Sequence, residues 1–153
     1  MHSRIAELPK VRSIKIPGVP IAPAEAAGRV KSLRSHIPPT VTIGVSGDAF
    51  AATGLNAGCD VWYSVLAGVL PTPCPAITRA SQNGDQDAAT ALCKRLEPIW
   101  ELFRAHGSLR VVSAIAEHLG LADTPNLPLP VRGLDPAAHA AVVTALEQID
   151  DLL

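Results

Sequence analysis

The sequence has few aromatic residues and few cysteines, and it has no excess of charge of either sign. It contains two Trp, one Tyr, two Phe and three Cys residues. Its 13 basic and 14 acidic side chains give a net charge of -1, which provides no electrostatic attraction for nucleic acid or for an anionic membrane. We therefore expect neither as a partner.

The cysteines also argue against a disulfide framework. Cys59, Cys74 and Cys93 show no CxxC spacing, and three cysteines cannot all pair within one chain. The N-terminal residues lack an apolar h-region, and the longest apolar stretch, residues 61–70, is too short to span a bilayer. We expect a cytoplasmic protein with buried, reduced cysteines.

A metal centre is not expected either. No histidine lies at ligand spacing from another His, a Cys or a Glu, which holds for His2, His36, His106, His118 and His139. Helix ends or exposed positions are the ordinary places for such histidines. The sequence therefore predicts no metal site.

The predicted secondary structure changes near the middle of the chain, from alternating strands and helices to helices alone. Three short apolar stretches are separated by two helical segments, an order that predicts an α/β fold with parallel strands. Strands are expected at 11–16, 41–45 and 61–64, with helices at 23–36 and 48–56. Only helices are expected afterwards, at 72–82, 85–105, 108–119 and 135–151. The 153 residues suffice for one domain with a core, but fall about a hundred residues short of a closed eight-stranded barrel.

Lys15 is the single charge in the first predicted strand, Ser13–Ile16, which Pro17 and Gly18 end. Chemistry in β/α proteins is found at the C-terminal ends of strands. Flanked by isoleucines and screened from water, this lysine would be a usable amine nucleophile. The alternative is an edge-strand lysine that discourages aggregation or extends to solvent.

The turn at 44–48 follows the second predicted strand. Gly47 permits a tight turn, and either Ser46 or Asp48 is expected to cap the next helix. A nucleophile elbow would need G-x-S-x-G, and Asp48 interrupts that pattern. A phosphate cradle would need further glycines or a P-loop lysine, so helix capping is the favoured interpretation.

Several segments in this order resemble the C-terminal half of the dihydrodipicolinate synthase and N-acetylneuraminate lyase family of class I Schiff-base aldolases. They are Leu8–Lys15, Gly44–Asp48, Ala57–Pro71 and Leu119–Leu121 before a proline-rich connector. The second and third resemble the family's "sGdd" turn and "GaxGwIsglaNxfP" segment. The resemblance covers almost the whole chain.

The resemblance implies about the last three strands of a (β/α)8 TIM barrel, residues 1–82, followed by a C-terminal helical region, residues 83–153. It implies that Lys15 is the catalytic lysine and condenses with pyruvate or a related 2-oxo acid, without metal or cofactor. Gly47 and Tyr63 would line the substrate pocket mainly through backbone atoms. Family members are usually tetramers. Because half a barrel leaves apolar strand faces and strand edges unpaired, a homo-oligomer or a complementary N-terminal half is the expected partner.

Two features depart from the family pattern. Gly68 replaces a common asparagine and Tyr63 a smaller aliphatic residue, changes that would narrow or reshape the pocket. The strands that carry the family's paired threonines and proton-relaying tyrosines would lie before Met1. The alternative to an aldolase is therefore a catalytically incompetent half-barrel that acts only as a folding or interaction module.

Overall fold

The computed structural model describes residues 2–153, which form three strands and eight α-helices. The strands are β1 (Ser13–Ile16), β2 (Thr42–Ser46) and β3 (Val61–Tyr63). The helices are α1 (His2–Ala6), α2 (Pro23–Arg34), α3 (Ala51–Asn56), α4 (Pro73–Gln82), α5 (Gln86–Arg95), α6 (Glu97–His106), α7 (Ser108–His118) and α8 (Pro136–Glu147). Short 3₁₀ helices occupy Asp48–Phe50, Leu66–Gly68 and Asp150–Leu152.

The strands form one parallel sheet in the order β1-β2-β3. The predicted α/β class and parallel arrangement are confirmed, with each strand found within two residues of its expected bounds. Lys15 pairs with Gly44, and Gly44 in turn pairs with Val61. Because side chains alternate along a strand, these paired residues belong to the same face of the sheet.

The opposite face of the sheet is apolar and covered by helices. Its residues Ile14, Ile16, Ile43 and Val45 are all buried, together with Val30 of α2. Burial of each such side chain contributes about 1.5–3 kcal/mol relative to its exposure. The sheet is therefore anchored through one face, which leaves the other face free to carry polar groups.

Helix α3 packs closely on this covered face. A Cβ at Gly54 would lie 2.7 Å from Val45 Cβ, a separation that side chains do not tolerate. Glycine at this position thus permits the close approach of α3 to β2. α3 ends at Asn56, and Gly58 follows with a φ of +101°, as the Asn56–Gly58 segment predicts.

The prediction of a single helix at 85–105 is wrong. α5 ends at Arg95 and α6 begins at Glu97, with Leu96 in a turn at φ −84° and ψ 6°. Pro98 occupies the first turn of α6, where its missing N–H leaves no hydrogen bond unmade. The apolar periodicity continues across the break and conceals it.

The predicted cap of the last helix is confirmed. The Ala138 N–H donates to Asp135 Oδ1 at 2.8 Å, and Pro136 opens α8. α8 ends at Glu147, four residues before the expected end, and the 3₁₀ helix Asp150–Leu152 follows.

The described residues divide into two compact units. The first comprises the described residues up to Ser64 together with Pro75–Cys93, and it contains the whole sheet. The second comprises Val65–Cys74 and Lys94–Leu153. The division expected at 82/83 does not coincide with these units, and as a domain assignment it stays a prediction.

A polar cluster attaches the proline-rich connector to α7 in the second unit. Buried Ser113 donates through Oγ to Asn126 Oδ1 at 2.5 Å, and Asn126 Nδ2 donates to Glu117 Oε1 at 3.1 Å. Glu117 Oε2 also lies 3.8 Å from Nε2 of His139 on α8. Asn126 therefore satisfies a buried hydroxyl and connects it to a carboxylate.

No helix within residues 2–153 has the length and apolar character needed to cross a membrane.

Candidate functional site

The uncovered face of the sheet, called the open face below, carries most of the polar strand residues. It consists of Ser13, Lys15, Thr42, Gly44, Ser46, Val61 and Tyr63. All of these residues except Gly44 are partly or fully exposed. The open face is therefore the part of the sheet that a solute can reach.

The Tyr63 side chain lies across the open face and covers Gly44. A Cβ at Gly44 would come within 2.1 Å of Tyr63 Cε2 and 2.6 Å of Cδ2, so the ring rests on the bare backbone of β2. Gly44 is buried for this reason although it lies on the open face. Any larger residue there would displace the ring.

The far end of Tyr63 is held by β1. Its hydroxyl donates to Ser13 Oγ at 2.7 Å, and Ser13 Oγ in turn donates to the Thr42 carbonyl at 3.4 Å. The tyrosine therefore reaches from β3 across β2 to β1. One side chain thus connects all three strands on the face that carries Lys15.

Lys15 stands beside this tyrosine. Its Nζ lies 6.0 Å from the centroid of the Tyr63 ring, near the outer limit of a cation–π contact. Within residues 2–153, the Lys15 ammonium makes no hydrogen bond and no ion pair. The ring is thus the one interaction that the described residues offer its ammonium group.

The expectation that isoleucines screen Lys15 from water is wrong. Ile14 and Ile16 point to the covered face and are buried, whereas Lys15 points to the open face and is exposed. Neighbours in a strand alternate between faces, so they cannot shield the residue between them. Protection of this amine would have to come from groups opposite the open face.

Gly47 lies in the turn that follows β2. Its φ of +81° is a conformation that favours glycine, and a Cβ there would lie 3.1 Å from the Phe50 ring. Ser46 Oγ donates to the Ile16 carbonyl at 3.0 Å and so connects the C-terminal ends of β1 and β2. Gly47 therefore lies at the same end of the sheet as Lys15 and Tyr63, with an exposed backbone.

Neither Ser46 nor Asp48 occupies the cap position of the next helix, contrary to expectation. Gly47, which has no side chain, occupies that position in the 3₁₀ turn. Asp48 is buried and instead accepts from Trp62 Nε1 at 3.1 Å and from Ser64 Oγ at 3.4 Å. Long-range bonds to β3 and to Ser64 thus replace the local cap.

A second carboxylate secures the start of β3. Asp60 Oδ2 accepts from the Ile43 N–H at 2.7 Å and forms an ion pair with Arg34. Burial opposes ionisation, but the Ile43 N–H and Arg34 outweigh it and hold the pKa of Asp60 below its ordinary value. The adjacent Cys59 is buried, and burial, reinforced by Asp60, raises its pKa to about 11. This thiol is therefore protonated at neutral pH and is not a nucleophile.

A shallow cleft lies away from the open face. It has a volume of about 360 Å³ and is bounded by α1 and α2, with His2, Ser3, Arg29, Ser32, Leu33 and His36 as its lining residues. None of the predicted site residues lines it. Across residues 2–153 no group of three or more His, Cys, Asp or Glu side chains is arranged to hold a metal ion.

Sequence reasoning missed two residues of the site, Ser13 and Gly44. The signal for Gly44 is a glycine inside a strand, which often marks a close approach by another group. Its partner, Tyr63, lies 19 positions later, so the contact depends on the strand register. Ser13 carried no signal, because its hydrogen bond to Tyr63 spans 50 positions.

The chain matches solved synthase structures along nearly its whole length. It is 37% identical to a dihydrodipicolinate synthase from Agrobacterium tumefaciens, with a TM-score of 0.88. The match covers 96% of this chain and 48% of that one. It is 25% identical to the 4-hydroxy-tetrahydrodipicolinate synthase of Methylacidiphilum fumariolicum, with a TM-score of 0.83 and coverage of 99% and 48%. A Thermotoga maritima dihydrodipicolinate synthase, 19% identical with coverage of 99% and 50%, shares the fold at a TM-score of 0.85.

The chain spans about half the length of each of these structures. No match was found among curated protein sequences. The sequence model of the dihydrodipicolinate synthetase family matches residues 3–149. Because this match and the structural similarities extend over nearly all 153 residues, the chain belongs to the dihydrodipicolinate synthetase family.

Proposed function

We propose that this member of an aldolase and lyase family uses Lys15 to form a Schiff base with pyruvate or a related 2-oxo acid. The observation that supports this most directly is the position of Lys15 on the open face. The other lysines lie elsewhere: Lys10 precedes β1, Lys31 lies in α2 and Lys94 in α5. Lys15 alone combines a strand position with a neighbouring aromatic ring.

The chemistry needs one neutral amine. Lys15 Nζ attacks the keto carbon and a C–N bond forms, while the C–O bond breaks and the oxygen leaves as water, with one proton from the amine and one from solvent. The resulting protonated imine withdraws electrons, so the adjacent carbon loses a proton and becomes an enamine. The enamine carbon then forms a C–C bond, and the reverse sequence cleaves one.

Gly47 and Tyr63 are proposed to border the substrate in this site. Gly47 offers an exposed backbone beyond β2, and Tyr63 offers a ring face beside Lys15. The substrate carboxylate needs further donors, because Ser13 and Ser46 already donate to carbonyl oxygens. A partner surface opposite the open face is the natural source of these donors.

We propose that the three strands are the last part of a (β/α)8 barrel, which a further set of strands completes. β1 and β3 each have one unpaired edge among the described residues, and unpaired edges are templates for further strands. A complementary N-terminal half or a second copy of the chain is the proposed partner. The cytoplasmic location and the division at 82/83 stay predictions.

A catalytically incompetent half-barrel that acts as a folding or interaction module is the second candidate. The exposure of Lys15 favours it, because an amine open to solvent lacks the shielding from water that a nucleophilic lysine needs. The two candidates differ in whether Lys15 reacts faster than the exposed lysines of the helices.

The experiment that tests the proposal is borohydride trapping in the presence of pyruvate, followed by peptide mass mapping. The chain is assayed alone and with a fragment of the Agrobacterium synthase that supplies the remaining strands. A reduced adduct on Lys15 that disappears in Lys15→Ala and persists in Lys31→Ala supports the aldolase. Absence of the adduct in the chain alone supports the inert module, and its absence in both samples removes the assignment of Lys15.

A further inference from the structure

We propose that Tyr63 is the positioning residue of Lys15. Its ring, seated on Gly44 and held by Ser13, is the surface on which the lysine side chain is kept over the sheet. This inference rests on the proposed Schiff-base role of Lys15. It assigns to the Tyr63 side chain a task separate from any backbone contact with substrate.

The ring is held at both of its ends. The backbone of Gly44 supports its edge, since even a methyl group there would overlap Cε2 at 2.1 Å. The hydroxyl is fixed by Ser13 Oγ at 2.7 Å, and Ser13 is itself directed by the Thr42 carbonyl. A tyrosine held in this way presents one face of its ring to Lys15.

Lys15 needs such a support because nothing else among residues 2–153 restrains it. A lysine side chain has four rotatable bonds, and an unrestrained amine samples many positions away from the substrate. The negative face of an aromatic ring attracts a cation within about 6 Å. The protonated imine carries that charge, so the ring attracts the group once it has condensed, and before condensation the ring limits the positions that the lysine side chain can adopt.

The direct test compares site-resolved reaction rates in four proteins. Wild-type, Tyr63→Leu, Tyr63→Phe and Ser13→Ala chains, each with the strand-completing synthase fragment, are treated with pyruvate and cyanoborohydride. The initial rate of modification at Lys15 is divided by that at Lys31 in the same molecule. This ratio cancels differences in protein concentration, reagent and overall lysine reactivity.

Tyr63→Leu should lower the ratio about 5-fold, because it restores part of the rotamer freedom that the ring removes from the Lys15 side chain. Tyr63→Phe keeps the ring and its seat on Gly44, so it should retain most of the wild-type ratio. Ser13→Ala releases only the hydroxyl and should reduce the ratio by about 2-fold. Rescue by phenylalanine distinguishes positioning by the ring from a general loss of structure, and thermal unfolding reports whether each variant is folded.

A second measurement detects the contact without any reaction. In isotope-labelled lysine, the Hε protons of Lys15 should show a ring-current shift in wild-type and Tyr63→Phe, and lose it in Tyr63→Leu. If the shift is absent in the wild-type protein, the inference is wrong. If Tyr63→Leu is unfolded, Ser13→Ala and Tyr63→Phe still test the inference, through the ring-current shift on Lys15 and through the ratio of modification rates at Lys15 and Lys31.

The outcomes separate this inference from the proposed function. A wild-type Lys15 that reacts faster than Lys31, with an unchanged ratio in folded Tyr63→Leu, overturns the positioning role and leaves the aldolase in place. A wild-type Lys15 that reacts no faster than Lys31 removes the proposed function, and the positioning role with it.

Discussion

Replacement of Gly44 by alanine tests whether the Tyr63 ring lies on the sheet as described. The new Cβ would lie 2.1 Å from Tyr63 Cε2 and 3.0 Å from Val61 Cγ1. The ring is more than a third exposed, so it can turn away towards solvent. In doing so it loses its hydrogen bond to Ser13 and its place beside Lys15.

The size of the effect follows from these contacts. Loss of the hydroxyl bond costs about 0.5–1.5 kcal/mol, and crowding against Val61 adds about 1 kcal/mol. Gly-to-Ala replacement offsets part of this, because it restricts the unfolded chain by about 0.4–1 kcal/mol. We expect a net destabilisation of about 0.5–2 kcal/mol, or a fall in Tm of about 1–8 °C for a chain of this size.

The assay is thermal and urea unfolding of Gly44→Ala beside Gly28→Ala. Gly28 lies in α2 with no atom within 4 Å of its added Cβ, so alanine there should stabilise the helix by about 1 kcal/mol. In a Tyr63→Leu background the penalty at Gly44 should largely disappear, since the two residues are coupled. A Gly44→Ala chain as stable as Gly28→Ala, with the ring-current shift on Lys15 intact, would refute the arrangement of the open face.

Three further predictions concern the surroundings of the site and the second unit. The lowered pKa of Asp60 means that its ion pair with Arg34 stabilises the fold fully above about pH 4 and is lost as the pH falls through that lowered pKa. Asp60→Asn should therefore reduce the free energy of unfolding at neutral pH by about 1 kcal/mol, a value limited by solvent screening. In urea titrations of this variant, the free energy of unfolding should also fall less steeply as the pH is lowered. Asn126→Ala should cost about 1–3 kcal/mol in urea unfolding, because it leaves the buried Ser113 hydroxyl without its partner. Cys59, with a pKa of about 11, should resist iodoacetamide at neutral pH in the native protein and react on unfolding. Mass spectrometry would detect the alkylated peptide, and rapid alkylation of the native protein would contradict the burial of this thiol.

Local patterns predicted the strands well, because strands depend on signals that lie close together in the sequence. The apolar residues of Ser13–Ile16 alternate with polar ones, and Pro17 ends the strand. The same alternation assigns Lys15 and Ile14 to opposite faces. The expectation of a screened lysine failed because it treated sequence neighbours as spatial neighbours.

Tertiary contacts decided what local patterns could not. Asp48 is a good helix cap by residue type, yet Gly47 occupies the cap position and the Asp48 carboxylate accepts from the indole N–H of Trp62. The break at Leu96 was hidden because the apolar stripe continues through it, and only Pro98 gave a hint. The contact of Tyr63 with Gly44 depends on the register of β2 with β3, which no local pattern specifies.

We propose that Lys15 is the reactive amine of a Schiff-base site. The most direct test is the mass of the Lys15 peptide after incubation with pyruvate and borohydride in the presence of the strand-completing fragment. We predict a reduced pyruvyl adduct on Lys15, formed faster than on any helix lysine and absent from Lys15→Ala. Equal labelling of all lysines, or no adduct on Lys15, would contradict it.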